Sequence, residues 1–416
     1  MQILRAFLPS GLLSHVGAFY VHRVLTLCFP LLLLPLIATR LTVNAMGIFF
    51  VLQAWGLTLS YIIDYGFSTR GARSMASTDN ADGRSTEISR IITAQLLLCG
   101  IILPTWILCR SFIPILQDNA MGAVLAFIMG AATAITPNWY FLGTHRLSGF
   151  IITDILSRIV TLIGIFILPY ADGDFNTPYV IISVGQFITC GIALCLMARR
   201  EDLKIVRLGA GLSALRENWK LCLNVIGFAL SVSLNTILLS LFAAPAIIAA
   251  YGVAEKIIRG CAALMIALTQ ALYPHFTQLQ KNSGLGLKKL ILWGIGSNGI
   301  LTLGALLGIW IFAPMIMPYL AKDDPTLALN FTYWQIPALF LFGLQGTVQM
   351  HGLLARGNDA AALTSILWGA VAYLCIGIIA IAAQSVLGVI AAQTINFAVM
   401  SLLGFYHLSQ KKNPAV

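Results

Sequence analysis

The chain has 416 residues, 59 % of them hydrophobic and only 10 % charged, with a formal net charge of +10. A soluble domain carries about 25 % charged residues, so this composition cannot coat a water-facing surface and belongs in a bilayer. Its long unbroken apolar runs exclude a transmembrane barrel, whose strands alternate over about ten residues, and point to helices of roughly 20 apolar residues each.

In chain order the hydropathy predicts about twelve spans, near 14–39, 45–68, 88–109, 119–141, 148–170, 177–198, 218–242, 246–273, 289–313, 327–353, 360–382 and 386–408. The opening stretch "MQILRAFLPSGLLSH" has one Arg and no small-residue cleavage site, and is not read as a removable signal. Connections are short, the longest polar ones being 76–87 and 198–220. The second divides the spans into two groups of six. The prediction is therefore an all-α polytopic membrane protein of two six-helix bundles around a central cavity. The N-terminal bundle covers 1–200, a cytoplasmic linker 201–217 and the C-terminal bundle 218–416. A faint repeat near an offset of 200 agrees, pairing Pro137 with Pro337 and "MGIFF" (46–50) with "IAAYG" (248–252).

Lys and Arg set the expected orientation. Of the 25 such residues, Arg40, Arg110 and Lys322 fall in the connections on one side and four fall within spans. The remaining eighteen lie on the side of both termini, which the positive-inside rule makes cytoplasmic. The net positive charge then faces anionic lipid and is no argument for nucleic acid. The eight cysteines and six histidines show no metal or redox spacing, so no metal and no cofactor is expected. No phosphate-cradling GxxxxGK[ST] stretch occurs, which excludes ATP hydrolysis by a P-loop in this chain.

The four basic residues within spans are Arg23, Arg158, Lys256 and Arg259, set against two clear acids, Asp154 and Glu255. Asp64 lies near the end of the second span. A basic residue at a helix centre costs roughly 2.5–3.5 kcal/mol even on mild insertion scales, so such residues face a bundle interior or a wet cavity. Asp154 with Arg158 and Glu255 with Arg259 stand four apart and can pair on one helix face. Two readings stay open for each pair: a neutral structural staple, or part of a cavity. Lys256 is turned about 100° from Glu255 and leaves a positive surplus. Arg23 is within snorkelling reach of the cytoplasmic surface. A cavity with surplus positive charge suits an anionic ligand.

Four stretches carry a resemblance: "DYGFSTRGAR" (64–73), "PNWYFLGTHRL" (137–147), "YGVAEKI" (251–257) and "ALYPHFTQL" (271–279). In this order, at these spans, they resemble the Wzx-type polysaccharide transporters, in the superfamily that also holds lipid II flippases and multidrug and toxin extruders. The resemblance implies a flippase, not an enzyme. It would move an undecaprenyl-diphosphate-linked oligosaccharide from the cytoplasmic to the periplasmic leaflet of the bacterial inner membrane by alternating access. The cargo is then a polyprenyl-diphosphate-linked oligosaccharide within membrane lipid, with a glycan polymerase and a chain-length regulator as implied partners. Carried over by position, Arg73, Arg146, Lys256 and Arg356 match basic positions of that family. His275 departs from it, since Arg more often follows that "LYP". With Arg23, Arg158 and Arg259 these four form the expected substrate-binding set. Asp64, Asp154 and Glu255 are the candidate H⁺ or Na⁺ carriers. Asp64 ranks first, because a carboxylate paired with Arg keeps its charge.

Three alternatives share the composition. A multidrug or toxin extruder usually carries cations and wants an acidic cavity, against the basic surplus here. A lipid II flippase usually has two more spans. A polytopic glycan polymerase or ligase needs a sizeable outer domain, and connections such as 168–178 and 319–329 are too short to form one.

Overall fold

The computed structural model describes residues 26, 29–78, 80–144, 146–168, 171, 173–203, 207–282, 287–354 and 358–410. The side chains of 147, 228, 230–232, 267, 268, 270–282, 287–293 and 297 fall outside that description. Among the described residues every regular element is helical. This is what hydrocarbon requires, because a helix satisfies its own backbone polar groups where no water can. In chain order the helices are α1 (Phe29–Ala38), α2 (Val43–Asp64), α3 (Phe67–Ser77), α4 (Ala81–Cys109), α5 (Ala120–Ile135), α6 (Asn138–Gly143), α7 (Leu147–Ile167) and α8 (Asn176–Ala198). There follow α9 (Leu208–Leu239), α10 (Pro245–Asn282), α11 (Leu287–Leu320), α12 (Pro325–Trp334), α13 (Ile336–Thr347), α14 (Asp359–Ala382) and α15 (Val386–Ser409). Nine helical stretches among the described residues are long and apolar enough to cross a membrane. The first expected span is described only over α1. The seventh and eighth coincide with α9 and α10.

Side-chain caps set several of the helix starts. Thr42 Oγ1 accepts from the Ala45 N–H before α2, and Asn80 Oδ1 from Asp82 before α4. Asp324 Oδ1 accepts from Leu327 at 2.8 Å, with Pro325 as the first helical residue. Each satisfies a donor that a helix start leaves open. The tenth expected span, 327–353, is in fact three pieces. It breaks at Gln335 between α12 and α13, and then widens into a π-helix over Val348–Leu353.

The described residues divide into two compact units. One contains Phe29 and Arg40–Ala229; the other contains Pro30–Thr39 and the residues from Leu230 onward. The expected bundle boundaries differ in two respects: Pro30–Thr39 groups with the second unit, and Leu208–Ala229 with the first.

In the first unit, close backbone approach holds α2 to α5. A Cβ on Gly130 would meet the Gly56 carbonyl oxygen at 2.7 Å and Leu59 Cβ at 2.9 Å. Membrane helices associate through such small-residue contacts, since lipid is as apolar as leucine. Tyr179 reaches from α8 to donate to the Leu52 carbonyl at 2.8 Å. Phe67, Trp139, Phe141 and Phe150 build the core around α3 and α6. On α7 the large apolar residues Ile152, Leu156, Ile159, Ile163 and Phe166 are exposed along one helical stripe, as a lipid-facing surface demands.

The first half of α9 is docked on this unit by an elbow and an ionic cluster. Tyr65 and Gly66 take left-handed conformations (φ 51° and 82°) between α2 and α3. The freed Tyr65 carbonyl accepts from Asn218 Nδ2 at 2.6 Å. A Cβ on Gly66 would meet the Leu221 backbone at 3.0 Å, so only glycine serves both the angle and the fit. Beside the elbow, Glu217 accepts from Arg70 at 2.6 Å and from Arg90 at 2.7 Å, while Glu87 bridges the same two arginines at 3.0 and 3.2 Å. The Arg70 hydrogen bond, followed by that of Arg90, holds the Glu217 carboxyl below its usual 4.5.

Two outcomes are expected. Gly130→Ala should overpack the α2–α5 contact and lower stability by about 1–3 kcal/mol, read as a lower thermal unfolding midpoint in detergent. Glu217 has a folded pKa below its unfolded one, so its stabilisation is present above about 4.5 and is lost as pH falls through the lower folded value. The difference in unfolding midpoint between wild type and Glu217→Gln should therefore be full at neutral pH and should close on acidification.

Candidate functional site

The charged residues expected within spans form two groups, one in each unit. In the second unit α10 carries Glu255, Lys256 and Arg259 inside a membrane-length helix. Glu255 is buried at 5 % exposure, Lys256 is half-buried, and the Arg259 side chain remains 29 % exposed. Arg259 Nη2 donates to Glu255 Oε1 at 2.8 Å, so the i,i+4 pair forms along one helix. The other carboxylate oxygen, Oε2, accepts from Thr236 Oγ1 of α9 at 3.1 Å. Lys256 stands within electrostatic reach of both charges of the pair.

A neutral polar network adjoins this pair. Asn235 Nδ2 donates to the Tyr251 hydroxyl and to Gln393 Oε1, each at 2.8 Å. The Tyr373 hydroxyl donates to Asn235 Oδ1. Both tyrosines are fully buried, and Asn235 and Thr236 nearly so. Side chains from α9, α10, α14 and α15 thus meet around one charged pair. None of these residues carries a charge, so the pattern of ionisable residues within spans does not point to them. The polar pair "NT" (235–236) inside an apolar run was the available signal.

In the first unit α7 carries Asp154 and Arg158. Arg158 Nε donates to Asp154 Oδ2 at 2.8 Å and Nη2 to Oδ1 at 3.2 Å, a two-point grip. The guanidinium also lies 5.0 Å from the centre of the Phe29 ring. Asp154 is 5 % exposed, so its charge is neutralised where water is excluded.

The remaining candidates lie apart from these groups. Asp64 ends α2, where Oδ2 accepts from the Gly66 N–H at 3.2 Å, and Oδ1 from the Ser68 N–H at 3.1 Å and its hydroxyl at 2.5 Å. Its carboxylate is engaged in holding the elbow and the start of α3. Arg73 on α3 and Arg146 at the start of α7 are exposed, outside the apolar spans. Arg23 and Arg356 lie outside the described residues, as does the side chain of His275. Arg40 caps α7, donating to the Leu168 and Phe166 carbonyls at 3.2 and 2.6 Å. Among the described residues no cluster of three His, Cys, Asp or Glu side chains could hold a metal.

Four matches to known proteins bear on this chain. A family model described as polysaccharide biosynthesis protein matches residues 12–280. A Shigella dysenteriae protein named "Putative O-antigen transporter" is 24 % identical over 268 residues; the match spans 63 % of this chain and 66 % of that one, just under two thirds. Among solved structures, one described as the lipid II flippase MurJ in an inward closed conformation superposes with a TM-score of 0.70 at 12 % identity, over 96 % of this chain and 88 % of its own. An inward-facing multidrug resistance transporter of the MATE family superposes with a TM-score of 0.65 at 15 % identity, over 95 % and 96 %. At such identities the likeness establishes a shared fold.

Breaking the α10 pair from one side should be costly. Glu255→Ala strands a half-buried guanidinium and should destabilise toward the lower end of about 3–5 kcal/mol, because Arg259 keeps 29 % of its side chain accessible. The neutral double variant Glu255→Gln with Arg259→Gln should lose much less. Thermal unfolding of the two proteins side by side measures the difference.

Proposed function

The chain belongs to the polysaccharide biosynthesis protein family, and from that premise we propose that it is a flippase for an undecaprenyl-diphosphate-linked oligosaccharide. It carries this cargo from the cytoplasmic to the periplasmic leaflet of the bacterial inner membrane by alternating access, with both termini cytoplasmic. The observation that carries the reading is the α10 site: two cations, Lys256 and Arg259, beside a single buried carboxylate within a membrane-length helix. The cargo head is a diphosphate, and an unaided ionised group in hydrocarbon costs far more than thermal energy. Basic side chains replace the lost hydration, and Arg can engage phosphate oxygens at two points. The polyprenyl tail stays in lipid. The name of the Shigella dysenteriae relative points to the same cargo class. The fold is shared with a lipid II flippase and a multidrug transporter, so the choice of cargo rests on charge, and the basic surplus favours an anion.

Asp64, held by the Gly66 and Ser68 N–H groups and the Ser68 hydroxyl and not by an arginine, is the first candidate to couple transport to an ion gradient, ahead of the arginine-paired Asp154 and Glu255.

Lys256→Gln removes the surplus charge and leaves the Glu255–Arg259 pair in place. Export should fall about tenfold or more, the loss of one charge-assisted bond. Lipid-linked oligosaccharide should then accumulate on the cytoplasmic leaflet, with membrane insertion unchanged. Undiminished glycan display by an inserted Lys256→Gln protein would refute the assignment.

A further inference from the structure

The first half of α9 presents a face that neither the docking on its own unit nor the proposed cargo site uses. Gly211, Ala214, Asn218 and Cys222 are buried and form the docked side. At 100° per residue, Leu208, Leu212 and Trp219 fall within about 40° of one another on a different side. They are 65 %, 51 % and 50 % exposed. Arg216 and Lys220, both exposed, border this apolar stripe on the flank away from the docked side. Among the described residues neither makes a salt bridge, and Lys220 Nζ lies 5.8 Å from the centre of the Trp219 ring. The one acid of this segment, Glu217, is engaged by Arg70 and Arg90. A groove of about 600 Å³ opens here, its lining including Tyr65, Leu212, Arg216 and Trp219. Directly after Lys220 the sequence of the helix turns apolar, which suits a place for these residues at the membrane surface. A helix segment that pairs an apolar stripe with a basic flank lies in the interface and attracts anionic lipid.

We propose that this face of α9 binds an anionic bilayer phospholipid, with the headgroup phosphate on Arg216 and Lys220 and an acyl chain along Leu208, Leu212 and Trp219. The complementarity is twofold. Two cations, beside a Glu217 that is already engaged by Arg70 and Arg90, meet the phosphate, and the stripe beside them matches the chain attached to it. Trp at this depth suits the headgroup level, where one end of the ring is wet and the other apolar. The site is independent of which glycan is carried.

The test titrates dioleoylphosphatidylglycerol and dioleoylphosphatidylcholine into the purified full chain in neutral detergent, with bound lipid read by native mass spectrometry. Phosphatidylglycerol should bind at least about tenfold more tightly. The double variant R216Q/K220Q should weaken it about thirtyfold, since each basic side chain at an anionic surface contributes about fivefold. R199Q/R200Q, which removes as much charge outside the groove, should leave binding unchanged. Leu212→Gln keeps the charges and removes an acyl contact, and should weaken binding about fivefold; it supplies a second reading should R216Q/K220Q fold poorly. Inorganic phosphate at millimolar concentration should not displace the lipid. Equal binding of the two lipids, full displacement by phosphate, equal losses in the two double variants, or undiminished binding by R216Q/K220Q and Leu212→Gln would each overturn the proposal.

Discussion

A charge in hydrocarbon must find its counter-charge within reach of its own side chain, and the placement of the ionised residues here follows from that requirement. Both deeply placed acids, Asp154 and Glu255, are met by an arginine one helical turn along the same helix. Such a pair assembles as soon as its helix forms and needs no neighbouring element to neutralise it. The pair therefore tolerates movement of the surrounding helices better than an interhelical bridge would, because neither charge is stranded when a neighbour shifts. Lys256 stands within electrostatic reach of one of these units.

Neutral polar groups work differently. Asn235, Tyr251, Tyr373 and Gln393 come from four helices, and each satisfies another. A network of this kind specifies one arrangement of those helices, since any other leaves a buried donor or acceptor open. Surface charges serve a third purpose. The Arg70–Glu87–Arg90–Glu217 cluster and the Tyr65–Gly66 elbow dock the first half of α9, whose docked side carries small residues such as Gly211 and Ala214 and whose large apolar residues Leu208, Leu212 and Trp219 lie on another side.

How far the sequence could be read tracks these three uses of polarity. Spans were legible where lipid demands a long uniform run: 360–382 and 386–408 were expected, and Asp359–Ala382 and Val386–Ser409 are found. The two ion pairs were legible from a spacing of four. The helix over 208–217 was not, because its charges and glycines make it look like a connection, and it is helical through tertiary contacts with α3 and α4. The Asn235 network was equally hidden, its members being scattered over 158 residues of chain. Asp64 ranks first among the ion-carrier candidates because no arginine stands four residues from it in the sequence. Its bonds to Gly66 and Ser68 show a local duty that the order Asp-Tyr-Gly-Phe-Ser could have suggested, with an acid just before a helix start and a hydroxyl four residues on.

The π-helix over Val348–Leu353 has a bearing on how its span can change shape. A π turn holds one residue more than the α-helix around it. Sliding that surplus residue along the span rotates each side chain it passes by about 100°, with the hydrogen-bond ladder intact at both ends. Gln349 and His351 ride on this turn and are buried, so a register slip of a single step would swing them around the axis and exchange one lining of the span for another, while the helix itself stays whole.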